Sequence, residues 1–112
     1  MGNWLNEAEV ETKEQREEKQ REATRNRLTG AVQRHLDETA QERGYEGILS
    51  LASYATDPDS HFKAEGQAGV EWRGKVWRKG YAVLAAVESG QRAIPTEDEL
   101  MAELPPMKWP TG

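Results

Sequence analysis

From Asn6 to Arg43 the chain contains no proline and a single glycine, Gly30, in a run dominated by Glu, Gln, Arg, Lys and Ala. These residues lose little freedom in a helix, so the run predicts one long helix beside which everything else must pack. Glu9 with Lys13 and Glu17 with Arg21 stand four apart in the favourable order and support it locally. Between Thr12 and Gln20 no residue is apolar, so a heptad seam cannot run through this half. Residues 1–27 therefore read as a charged arm or stalk, solvated unless a partner orders it. Leu28, Val32, Leu36 and Ala40 then recur every four residues, with His35 at the margin of the stripe. That stripe must be buried, and it opens a helical unit over 28–112.

Arg43-Gly44-Tyr45 reads as a helix end, with a cation in the last turn and a glycine just beyond. The segment EGILSLASYA predicts two or three helical turns with almost no polar face, suited to the centre of a core. In TDPDS, Asp57 is the expected cap and Pro58 the expected first residue of a helix reaching about Glu88. Ser89-Gly90 ends that helix. Thr96 and Glu99 have the spacing of a capping box for a short final helix, stopped by Pro105-Pro106. No segment reads as a strand, so the expected class is all-α, and Met107 to Pro110 should lie extended on the surface of the fold or on a partner.

The stretch EWRGKVWRKGY, residues 71–81, interleaves cations with rings as a nucleic-acid binder does. On a helical projection at about 100° per residue the two sets separate. Trp72, Val83, Val76, Val87 and Phe62 share one quarter of the circumference with Gly69 and Gly80, and Leu84, Trp77, Val70 and Tyr81 fill the next. Half a helix of apolar surface implies two packing neighbours. Arg78 and Lys75 fall opposite, beside Glu71, and Lys79 lies at the edge. Phosphate binding needs cations and rings on one side, and Lys+Arg 15 against Asp+Glu 20 leaves a net charge of -5, so a nucleic-acid partner is not expected. Arg73 alone projects into the apolar arc, with its stem on Trp77 or in a buried or interfacial ion pair.

Catalytic and cofactor chemistry finds little to work with. Asp57, Asp59, Ser60 and His61 fan out around a helix start, a capping pattern. Two histidines and no cysteine do not suggest zinc, a disulfide is impossible, and no glycine stretch has the context of a phosphate loop. No cofactor, metal or enzymatic activity is expected. No apolar run approaches a membrane span and the first residues lack a secretory pattern, which reads as a soluble chain suited to a reducing cytoplasm.

From about Gly44 to Pro110 the chain resembles the small C-terminal module of bacteriophage tail assembly chaperones and tail-fibre-associated proteins. The likeness lies in Asp57-Pro58-Asp59-Ser60, Trp72-Arg73, Trp77, Tyr81 with Leu84, and the closing Leu104-Pro105-Pro106-Met107-Lys108-Trp109-Pro110. It departs from the family at Arg73, one residue after Trp72, and at Lys79-Gly80-Tyr81, where the family favours a Tyr-Arg pair. The resemblance implies a phage or prophage protein that binds tail or tail-fibre protein, in the host cytoplasm during assembly or as a permanent piece of the virion tail. A small nucleic-acid-binding regulator is the rival outside that class. So small a core does not readily hide this many large rings, and rings with Arg anchor interfaces. Trp72, Arg73, Trp77, Tyr81 and Trp109 are the candidate interface residues, and a homo-oligomer is expected.

Overall fold

A computed structural model describes residues 11–111, and among them the protein is all-α. Helix α1 spans Lys13–Glu42, α2 Ile48–Ser53, followed by a 3-10 turn at Tyr54–Thr56, α3 Ser60–Glu88 and α4 Glu97–Glu103. Among the described residues the long first helix begins at Lys13, with Thr12 as its cap. Thr12 is extended and exchanges both bonds of a capping box with Gln15, which fixes the start there. Asn6 to Val10, and with them the pair of Glu9 with Lys13, lie outside the described residues.

Both long helices end in the same device. Gly44 and Gly90 take positive φ, 96° and 78°. In each case the two N–H groups at and after the glycine return to carbonyls of the last turn, Gln41 and Ala40 in α1, Val87 and Ala86 in α3. The start of α3 departs from expectation by two residues. Asp57 accepts from the N–H of Asp59 in a tight turn through Pro58, and Asp59 is the cap, its carboxylate accepting from the N–H groups of His61 and Phe62. The Thr96–Glu99 capping box of α4 forms as expected.

The core lies where α1, α2, α3 and α4 converge. Leu28, Val32, Leu36 and Ala40 of α1 meet Ile48 and Leu51, Trp72, Val76, Val83 and Leu84, and Leu100 and Leu104. Leu28 is the first buried residue of α1, and exposed ion pairs of Arg25 with Glu88 and Arg34 with Glu97 hold this region to the body. The segment at Ile48–Thr56 is less central than its composition suggests, because a two-turn helix lying on α3 can turn only one side inward. Ile48 and Leu51 are buried, whereas Leu49 is 67% exposed. Its start is capped from outside: Gly47 has no side chain to offer, and Asp37 of α1 accepts from the N–H of Ile48 at 3.0 Å.

Two glycines on α3 set how closely its neighbours approach. A Cβ on Gly66 would stand 2.3 Å from the backbone nitrogen of Ala55, and one on Gly69 2.6 Å from Leu51. The first contact is with backbone, which cannot move aside as a side chain can. The 3-10 turn and α2 therefore sit directly on the α3 backbone, over its first three turns.

Candidate interaction surface

The apolar arc of α3 divides in two. Trp72, Val76, Val83 and Leu84 are buried, while Val70 is 49% and Tyr81 51% exposed, with Trp77 half-buried between them. The two expected neighbours are present, but both lie on the inner half, α2 and the 3-10 turn at Gly66 and Gly69 and α1 at Gly80. Although the inner side of Trp77 packs against the core, no element among the described residues covers the outer quarter. On it the rings of Trp77 and Tyr81 stack at 5.4 Å and 28°. One full turn of helix separates the two, so their stacking gives a continuous ring surface.

The five residues selected from sequence take different positions around this helix. Trp72 faces the core, 4% exposed, and meets the His35 ring edge-on with ring centres 5.8 Å apart. Its indole N–H donates to the Pro105 carbonyl at 2.7 Å, which pins the chain after α4 across α3. Trp72 is thus turned away from any partner of the folded protein. Trp77 and Tyr81 form the outer face. Arg73 is exposed beside them, and among the described residues it has no ion pair, because the part of the arc into which it projects is uncovered. The cation–ring contact of the fold lies elsewhere, with the Arg43 guanidinium 4.9 Å from the Trp109 ring centre. Trp109 also stacks on Tyr45 at 6.4 Å, so the closing segment lies on the fold and not free of it.

Beneath Trp109 is a residue that sequence reasoning passed over. Glu65 is only 3% exposed. Its Oε2 accepts from Arg43 Nε at 2.9 Å and lies in an ion pair 2.8 Å from Arg43 Nη2, and its Oε1 accepts from the Tyr45 hydroxyl at 2.7 Å, with His61 Nε2 3.7 Å from Oε2. The available signal was positional, since a carboxylate seven residues before Trp72 occupies the same quarter of the helix and must be buried with it. Burial pushes the Glu65 carboxyl up, but the hydrogen bonds from Tyr45 and Arg43 and the Arg43 charge outweigh it and hold the group below its ordinary value. Burial and the bond to Glu65 push Tyr45 up to about 12, which keeps its hydroxyl a donor. This is a clasp: it fastens the end of α1 to the start of α3 with every polar atom satisfied.

Among the described residues no group of three or more His, Asp or Glu side chains could hold a metal ion, and no helix is long and apolar enough to cross a membrane. Compared with protein-family models, curated proteins and solved structures, the chain matches none of them.

The two tryptophans of α3 should respond differently to truncation. Trp72→Ala is expected to cost about 3–5 kcal/mol and Trp77→Ala only about half as much, measured by urea unfolding. Equal losses would show that Trp77 belongs to the core. The clasp gives a pH signature. Because the folded carboxyl of Glu65 titrates below its unfolded value of about 4.3, its contribution is full above that pH and is lost as pH falls through the folded value. Glu65→Gln should lower stability at neutral pH by about 2 kcal/mol and make the acid limb of the stability profile shallower; an unchanged limb would show that Glu65 is not held as a carboxylate.

Proposed function

We propose that the protein acts without catalysis of its own, by protein–protein contact, in the assembly or attachment of a phage or prophage tail or tail fibre, with tail or tail-fibre protein as its partner. The observation that carries the contact reading is the stack of half-buried Trp77 with exposed Tyr81, beside exposed Val70, on a side of α3 that no other described element covers. Large rings with an unpaired arginine beside them have the composition of interface anchors, and Arg73 is that arginine. Cations are not gathered on the same side in the number that phosphate contact needs, which weighs against the nucleic-acid reading.

The assignment to tails is supported by the resemblance of about residues 44–110 alone. Its residues divide by role in this fold: Trp72, Leu104, Pro105 and Trp109 build the unit and fasten its closing segment. Trp77 and Tyr81, with Arg73 beside them, are left for contact. The test is affinity capture of the tagged chain from bacteria in which the phage or prophage encoding it is active. Tail or tail-fibre protein should be enriched and should be lost with the Trp77→Ala, Tyr81→Ala double variant. Recovery of the chain in finished particles makes it a virion component, and absence from them a chaperone. Capture of nucleic acid instead, or undiminished tail-protein capture by the double variant, would overturn this reading.

A further inference from the structure

Gly74 has no reason to be glycine within the folded chain. It stands in the middle of α3, where glycine is less favourable than alanine by about 1 kcal/mol. The glycines at 66 and 69 are required by the backbone and the leucine that press on them, but a Cβ on Gly74 would meet only the guanidinium of Arg78, the end of a flexible exposed side chain, at 3.0 Å. A helix interior keeps such a residue when another backbone or a large side chain must come close, and among the described residues no other element does.

The neighbours of Gly74 indicate what comes close. Val70, Gly74, Trp77 and Tyr81 follow one another at spacings of four, three and four, the heptad rhythm of a helix-to-helix seam. This seam lies outside the core stripe and ends at Leu84, which is already buried. We infer that the outer face of α3 binds the same face of a second copy, antiparallel, with each Trp77 ring seated over the other copy's Gly74. In an antiparallel pair that sets Trp77 opposite Gly74, Val70 falls opposite Tyr81, so every position of the seam has a partner of complementary size. The inference rests on the contact reading given above and names the first occupant of that face.

Charge agrees with this arrangement. Glu71 and Arg78 flank the seam on one side, and an antiparallel two-fold brings each Glu71 to the other copy's Arg78. Arg78 makes no ion pair among the described residues of its own chain, and Glu71 holds only Lys75, at 3.2 Å with both side chains exposed. On the opposite flank Arg73 comes beside the second copy's Trp77 ring, a contact suited to a guanidinium.

Sedimentation equilibrium of the full chain tests the inference. The expected result is a reversible dimer, twice 12.6 kDa. Gly74→Leu should keep the helical content and raise the dimer dissociation constant at least about 100-fold, the loss of a few kcal/mol of packing. Glu71→Arg and Arg78→Glu should each weaken the dimer several-fold, and the double variant should recover it. A monomer at all concentrations overturns the inference, as does a dimer indifferent to Gly74→Leu and to both charge variants. If the chain is monomeric and its capture of tail protein still depends on Trp77 and Tyr81, the contact reading stands and only the identity of the first occupant has failed. Capture that is independent of those residues sinks both.

Discussion

The direct seating of the 3-10 turn and α2 on the backbone of α3, permitted by Gly66 and Gly69, is the constraint on which the other contacts depend. It commits the first turns of α3 to one set of neighbours and turns Glu65 inward beneath the end of α1. A buried carboxylate is tolerable only when its oxygens are fully bonded. Arg43 and Tyr45, the residues around the helix-ending glycine, meet that need, so the C-terminus of α1 is placed by the same contact that seats α2. Trp109 then covers the clasp, and Trp72 holds the segment leading to it through the Pro105 carbonyl. Each contact narrows the position of the next.

The same chain of contacts explains why one side of α3 stays bare. The neighbours of α3 fall on one half of its apolar arc: α2 and the 3-10 turn at its start, α1 farther along, and the extended segment after α4 across Trp72. Among the described residues no further helix lies on the other half. Small domains have a high surface-to-core ratio and leave apolar surface that association can bury. Val70, Trp77 and Tyr81 are that surplus here, and their heptad spacing gives it a direction.

Much of the fold was legible because it rests on local rules. The capping box at Thr96, the glycine stops at Gly44 and Gly90, and the stripe from Leu28 to Ala40 follow from composition and period. What the sequence left open was decided by contacts between distant segments. A projection gives the width of an apolar arc but not which part is covered, so Trp72 and Trp77 looked alike until the position of the segment after α4 separated them. The same limit left Arg73 open between a stem packed on Trp77 and a buried or interfacial ion pair. Asp57 and Asp59 are equally good caps on paper, and the turn through Pro58 chose between them. Glu65 was hidden by its neighbours, since one acid among the apolar residues of an inner face carries no local mark of the arginine and tyrosine that bond it.

The outer face of α3 is proposed to join two copies in an antiparallel pair. Because the chain has no cysteine, single cysteines placed at Val70 and at Tyr81 report the pairing cleanly under mild oxidation. The account predicts that a mixture of the Val70→Cys and Tyr81→Cys chains forms the mixed disulfide. Either chain alone should form little, since like positions would lie about 16 Å apart along the pair, beyond the roughly 7 Å that a disulfide can bridge. Efficient cross-linking of Val70→Cys to itself, or no cross-link in the mixture, would contradict it.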